Sequence, residues 1–199
     1  MLKAELRKIY LVRQKSLSAE ERGEKSRRIA ARFFHDFDLR KIRYLHCFLP
    51  IEKFAEIDTK PIFRHLWRDF PQIETLAPRV DFHAGEMENL KFAPETELVQ
   101  NAWQIDEPAH DESVETEKID LVLVPLLCFD RRGFRVGYGK GFYDRFLSRC
   151  RKDCLKIGLS YFSPVDEIGD AHDGDVKLDY CVTPERVFTT RKRADAGIR

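Results

Sequence analysis

Residues 119–127, Ile-Asp-Leu-Val-Leu-Val-Pro-Leu-Leu, constrain the fold more than any other stretch of this chain. The apolar side chains do not alternate with polar ones. Such a strand must be covered on both faces, as it is in a parallel sheet flanked by helices. Residues 44–49, 73–78, 156–161 and 180–182 read as further strands. Residues 81–98 hold a polar turn at 84–89 and a short strand near 90–92. Helical spacing over residues 2–16 puts Leu2, Leu6, Ile9 and Val12 or Arg13 on one stripe. Ser18 and Glu21 form the capping box of a second helix, which buries Ile29, Ala30 and Phe33 and ends near His35. Thr59 caps a third helix with Pro61 in its first turn and with Ile62, Leu66 and Trp67 along it. Residues 109–118 are acidic and polar and read as an exposed connection. This alternation predicts an α/β fold: a single three-layer domain over residues 1–190, with a central, mostly parallel sheet flanked by helices. Residues 191–199 read as a basic, solvated tail.

The 199 residues suit one domain, and 43% hydrophobic content can fill its core. Charged residues make up 35%, yet the net charge is only +1. A chain so balanced lacks the basic surface that nonspecific nucleic-acid binding requires, so no nucleic-acid partner is expected. No apolar run approaches the roughly 20 residues of a membrane span, and the opening residues are charged, unlike a signal peptide. The five cysteines are scattered at Cys47, Cys128, Cys150, Cys154 and Cys181. An odd, dispersed set suits reduced thiols, which points to a cytoplasmic protein with no membrane partner. Cys150 and Cys154 are expected to share a helical face, but zinc there would need two further ligands that the neighbouring sequence does not offer.

Beyond the apolar strand comes Arg135-Val136-Gly137-Tyr138-Gly139-Lys140-Gly141-Phe142-Tyr143, followed by Asp144. Alternate glycines let backbone N–H groups approach an anion and permit positive φ. Lys140 adds a mobile charge, and the aromatic rings can cover a flat ligand. In open α/β sheets, ligands bind at the carboxyl ends of strands, where helix N-termini favour phosphate. The tract matches neither GxxxxGK[ST] nor GxGxxG. Spacing alone therefore leaves two readings, a phosphate-binding loop or a glycine-rich tight turn. A helix is expected over about 141–150.

The longer string from Val124-Pro125 through Cys128-Phe129-Asp130 and Gly133-Phe134 to Asp144 closely resembles the signature of the 5-formyltetrahydrofolate cyclo-ligase family. Other segments resemble it in the same order over residues 3–185: Lys3 to Arg7 with Arg13, Ala55-Glu56-Ile57-Asp58-Thr59, Trp103-Gln104-Ile105-Asp106-Glu107-Pro108, and Asp175-Val176-Lys177-Leu178-Asp179 with Val182-Thr183. The resemblance implies a fold like that of the phosphosugar isomerases and CoA-transferases. It also implies a monomer whose substrates are 5-formyltetrahydrofolate and ATP, with Mg2+.

The same resemblance assigns roles. Lys3, Ala4, Glu5, Leu6 and Arg7 would meet ATP, together with Arg135, Val136, Gly137, Tyr138, Gly139, Lys140, Gly141, Phe142 and Tyr143. Arg135 or Lys140 would stabilise charge on the transferred phosphoryl group. Glu56, Trp103 and the Tyr138–Phe142 stretch would bind the folate, with Glu56 on the amino edge of the pterin. Asp144 and Asp175 would hold magnesium. Each residue also has a plainer reading: a solvated helix flank for Lys3 and Arg7, first-turn charge for Asp144, a turn for Asp175, a water-exposed carboxylate for Glu56 and core packing for Trp103. The loop before Glu56 looks longer than is usual in the family, leaving Leu49, Ile51 and Phe54 all open as its apolar partner. Phe142 stands where tyrosine is more usual. His46, His110 and His172 receive no role. Two rivals remain: a binding module without turnover, and a phosphosugar isomerase or related transferase, since fold does not fix function.

Overall fold

A computed structural model describes residues 1–190; the tail at 191–199 lies outside the described residues. The helices are α1 (Lys3–Ser16), α2 (Ala19–Asp36), α3 (Lys60–Asp69) and α4 (Phe142–Arg149). The strands are β1 (Tyr44–Cys47), β2 (Glu74–Asp81), β3 (Glu86–Lys91), β4 (Leu98–Gln100), β5 (Asp106–Pro108), β6 (Leu121–Pro125), β7 (Cys128–Phe129), β8 (Arg135–Val136), β9 (Leu155–Leu159), β10 (Tyr180–Val182) and β11 (Val187–Thr189). Seven of them form one sheet in the order β11-β10-β9-β6-β1-β2-β3. The pairings from β10 to β2 are parallel, and the two edge strands are antiparallel.

The apolar run lies at the centre, as its composition requires. Leu121 and Leu123 face one layer with Ile29 and Phe33 of α2 and Ile62, Phe63 and Leu66 of α3. Val122 and Val124 face the other layer, with Phe146 and Leu147 of α4. All four are fully buried, each stabilising the fold by about 1.5–3 kcal/mol relative to exposure. On β9, Gly158 has no space for a side chain: a Cβ there would lie 2.6 Å from methyl groups of both Leu126 and Leu178.

The structure departs from the sequence expectations at several points. The buried face of α1 is Leu6, Tyr10 and Gln14, while Leu2, Ile9 and Val12 are exposed. An i, i+4 row won over the i, i+3 stripe because the Gln14 amide finds partners, so burying it costs little. Thr59 does not cap α3. Its hydroxyl donates to Phe48 O at 2.8 Å, and Asp58 accepts the Lys60 N–H at 3.1 Å instead. The turn after β2 closes by Gly85, so β3 takes in most of the expected turn. A small β7–β8 hairpin follows the central strand, and its second strand is the start of the glycine tract. In the connection at 109–118, Val114 and Thr116 are buried. Helix α4 ends at Arg149 with Cys150 as its C-cap, so Cys150 and Cys154 do not share a helical face.

Candidate active site

A cavity of about 400 Å³ opens at the carboxyl end of β6, where Pro125 contributes to its wall. The loop after β1 supplies Phe48, Leu49, Ile51, Phe54 and Glu56. The β2–β3 hairpin supplies Pro78, Val80, Phe82 and Met87, and the segment before and within β5 supplies Trp103, Ile105 and Glu107. The glycine tract closes it with Arg135, Gly137, Tyr138, Lys140, Gly141, Phe142, Tyr143 and Asp144. The lining is mostly apolar with a few convergent polar groups, as in small-molecule sites generally. Leu49, Ile51 and Phe54, the three alternatives for the apolar partner of Glu56, all line it.

Aromatic contacts shape the walls. Phe54 stacks on Tyr138 at 4.8 Å between ring centroids, and Phe82 meets Phe142 edge-on at 5.4 Å. Trp103 is 54% exposed and leans on Phe82 at 5.0 Å. That excludes the core-packing reading of Trp103 and puts it at the cavity rim, where Lys53 Nζ donates to its carbonyl at 2.7 Å.

Glu56 is a buried carboxylate rather than a solvated one. It follows Ala55, whose φ of +54° turns the chain sharply inward. Its Oε2 accepts the Ile51 N–H at 2.8 Å, and Tyr138 hydrogen-bonds its side chain. Burial raises its pKa to about 7, against the lowering effect of these two bonds. Gln14 reaches across from α1 to support the arrangement, donating to Phe54 O at 2.8 Å and to the Tyr138 hydroxyl at 3.0 Å.

The charged side of the site joins α1, the tract and the segment before β10. Arg135 is 8% exposed; its guanidinium donates to Asp144 Oδ1 at 2.9 Å and to Val176 O at 2.5 Å. Burial lowers the Arg135 pKa, and the Asp144 carboxylate opposes that shift. Val176 N also donates to Asp144 Oδ1, at 3.1 Å. One residue earlier, Asp175 pairs with Lys3 Nζ at 2.5 Å and accepts the His172 N–H at 2.8 Å. Burial raises the Asp175 carboxyl, but these partners outweigh it and hold its pKa below the ordinary value. Arg7 Nε donates to Gly137 O at 3.0 Å. At Gly139, φ is +96°, and a Cβ would come within 3.2 Å of Arg7. Glycine therefore permits both the turn and the close approach of α1.

The expected residues thus largely converge. Lys3 and Arg7 sit against the tract and the Asp175 segment, not on a free helix flank. Leu6 instead packs into a cluster with Leu127 and Val136, and Glu5 accepts the Leu2 N–H at 3.0 Å, capping its own helix. Ala4 is exposed. Asp144 lines the cavity, while Asp175 lies behind it under Lys3.

A family model described as the 5-formyltetrahydrofolate cyclo-ligase family matches residues 1–184. The chain belongs to that family. It is 29% identical to the 5-formyltetrahydrofolate cyclo-ligase of Escherichia coli K12 over 181 residues, which is 88% of this chain and 97% of that protein. Among solved structures, the 5,10-methenyltetrahydrofolate synthetase of Aquifex aeolicus superimposes with a TM-score of 0.80 at 31% identity, covering 98% of this chain and 96% of the other. That of Mycoplasma pneumoniae gives 0.71 at 27% identity, covering 92% and 99%.

In this cyclo-ligase family member, sequence reasoning overlooked two buried polar side chains. Gln14 could have been found as the polar member of the Leu6–Tyr10–Gln14 row. His46, assigned no role, is fully buried in β1 and bonds to Tyr143 of the tract. Its signal was a histidine within an otherwise apolar central strand. Among the described residues, no helix is long and apolar enough to cross a membrane.

Proposed function

We propose that this chain converts 5-formyltetrahydrofolate and ATP into 5,10-methenyltetrahydrofolate, ADP and phosphate. The observation that carries this reading is the meeting of two surfaces on one loop. Lys3 and Arg7 stand on one side of the tract; on the other is an aromatic cavity that holds the buried carboxylate of Glu56 and has Arg135 in its wall. The formyl oxygen of the folate attacks the γ-phosphorus of ATP, and ADP leaves. N10 then attacks the activated formyl carbon, losing its proton, and phosphate departs with the former formyl oxygen. Phosphoryl transfer needs positioning and charge neutralisation more than covalent help. Lys3, Arg7 and Lys140 supply charge to the phosphates, and Arg135 faces the charge that develops on the transferred group. The backbone of the tract follows the phosphates, while Tyr138, Phe142 and Trp103 pack on the folate. Glu56 accepts the N–H donors on the amino edge of the pterin.

Magnesium fits the residues present only as a shared ion. Among the described residues no three His, Cys, Asp or Glu side chains cluster to hold a metal by themselves. Magnesium normally takes one or two carboxylates and completes its shell with phosphate oxygens and water. Asp144 and Asp175 offer hard oxygens joined through the Asp175–Val176 backbone. Their present partners, Arg135 and Lys3, are cations that a triphosphate attracts, and that exchange frees the carboxylates. When bound, the ion would neutralise phosphate charge. We further propose that the protein acts as a cytoplasmic monomer.

The test is an absorbance assay for methenyltetrahydrofolate with 5-formyltetrahydrofolate, ATP and Mg2+. Turnover dependent on all three is expected. Well-folded protein with no turnover and no affinity for ATP overturns the reading. Ligand binding without turnover favours a binding module, and phosphosugar isomerisation without ATP favours the isomerase alternative.

A further inference from the structure

One fully buried titratable side chain has no part in that mechanism. His46 lies in the middle of β1, between Leu76 of β2 and Val122 of β6. Its two ring nitrogens have different partners. Nδ1 is 2.8 Å from Asn89 Oδ1 on β3, and Nε2 is 3.2 Å from the Tyr143 hydroxyl. The Asn89 amide is itself fixed, because its Nδ2 donates to Thr116 Oγ1 at 3.2 Å and to Val114 O at 3.4 Å. Asn89 Oδ1 can therefore only accept, so Nδ1 of His46 carries the proton. Burial lowers the imidazole pKa to about 4, so the ring is neutral. Nε2 then offers a lone pair, and the Tyr143 hydroxyl donates to it. Phe146 packs against the same imidazole at 4.8 Å. Tyr143 stands in the first turn of α4 between Phe142 and Asp144, and all three line the cavity.

From this chain of bonds we propose that His46 is a positioning residue. Braced by Asn89 and Thr116, it locks the Tyr143 ring, and with it the first turn of α4, in the geometry that the reduced folate requires. The inference rests on the reading of the cavity given above. Without His46 the half-buried Tyr143 hydroxyl loses its acceptor within the protein, and such a group seeks a new partner. A shift of about 1 Å in a positioning element can cost on the order of a hundredfold in rate. A bond that only stabilised the fold would lower the melting temperature without changing catalysis in the folded enzyme.

A double-mutant cycle tests this, using kcat/KM for 5-formyltetrahydrofolate at saturating ATP well below the melting temperature. His46→Leu and Tyr143→Phe are each expected to lower kcat/KM about tenfold, and the double variant no further than the worse single one. His46→Gln, whose amide can bridge Asn89 and Tyr143, is expected to recover at least half of the loss on a logarithmic scale. Multiplying losses in the double variant, or folded His46→Leu within about twofold of the unaltered protein, would overturn the proposal. If His46→Leu does not fold, Tyr143→Phe decides alone, and activity within about twofold of the unaltered protein sinks the idea. The unaltered enzyme separates the two levels of the argument. No turnover there removes the folate reading, and this inference with it; normal turnover with multiplying losses removes this inference alone.

Discussion

The two sides of the glycine tract are built by different physics. The proposed phosphate side is held by two ion pairs, Lys3 with Asp175 and Arg135 with Asp144. A triphosphate arriving there must exchange partners. The folate side is held by ring packing and buried neutral hydrogen bonds among Gln14, Tyr138, Phe54, His46 and Tyr143. It is shaped before any ligand arrives. Glu56 is the exception on that side, a carboxyl that burial has made easy to protonate. The difference suggests that ATP affinity depends on ionic strength and metal, and folate affinity on the fixed walls.

The sharpest way to break this comparison is Arg135→Met, which keeps the aliphatic stem and removes the charge. Turnover is expected to fall by about 10²–10³-fold, the scale of losing one donor to developing charge. Single-turnover kinetics with both substrates bound would check it. A loss confined to folate affinity would mean that Arg135 belongs to the other side.

Next in size is Glu56→Gln, expected to raise KM for the folate about 10- to 100-fold, as for loss of a charged hydrogen bond. The same variant tests the buried carboxyl through pH. The pKa of Glu56 rises from an ordinary 4.5 to about 7 on folding. Below pH 4.5 both states are protonated and the group costs nothing. As pH rises from 4.5 to 7 the unfolded chain binds fewer protons than the folded one, so stability falls, and above about 7 the loss is complete. At roughly 1.4 kcal/mol per pH unit, the loss is about 3 kcal/mol. Urea midpoints at pH 5 and pH 8 should therefore show Glu56→Gln gaining on the unaltered protein at the higher pH; parallel shifts would contradict the buried carboxyl.

Lys140→Ala should have a smaller effect, weakening ATP use about five- to tenfold while folate affinity stays near its original value, since one exposed charge contributes about 1 kcal/mol. Equal losses for both ligands would erase the division between the two sides. Smallest is Trp103→Ala. Because the indole stands at the rim and half exposed, KM for the folate should rise only about threefold. Steady-state kinetics would separate this from a core role, which would unfold the protein instead.

How much of this could be read in advance depends on the range of the interactions. The central strand, the capping box at Ser18 and the glycine tract are local patterns, and they appear where the sequence indicated. The buried face of α1 is not legible in the sequence because hydropathy ranks Gln14 as polar, and only distant Phe54 and Tyr138 make its burial favourable. Only the family resemblance marks Asp144 and Asp175 as a pair. Their link passes through Arg135 and the Val176 backbone, far from Asp144 in sequence, and no spacing rule reveals it. The sequence shows no role for His46 because its partners, Asn89 and Tyr143, lie on other elements.

The Lys3–Asp175 pair joins residues 172 positions apart. During synthesis, the first helix leaves the ribosome long before its counterpart exists. Contacts at such separation form late, after the loops between them have closed. Under the proposed function, a nascent or prematurely ended chain therefore offers the nucleotide only half a grip. Retention on immobilised ATP would then sort finished molecules from fragments.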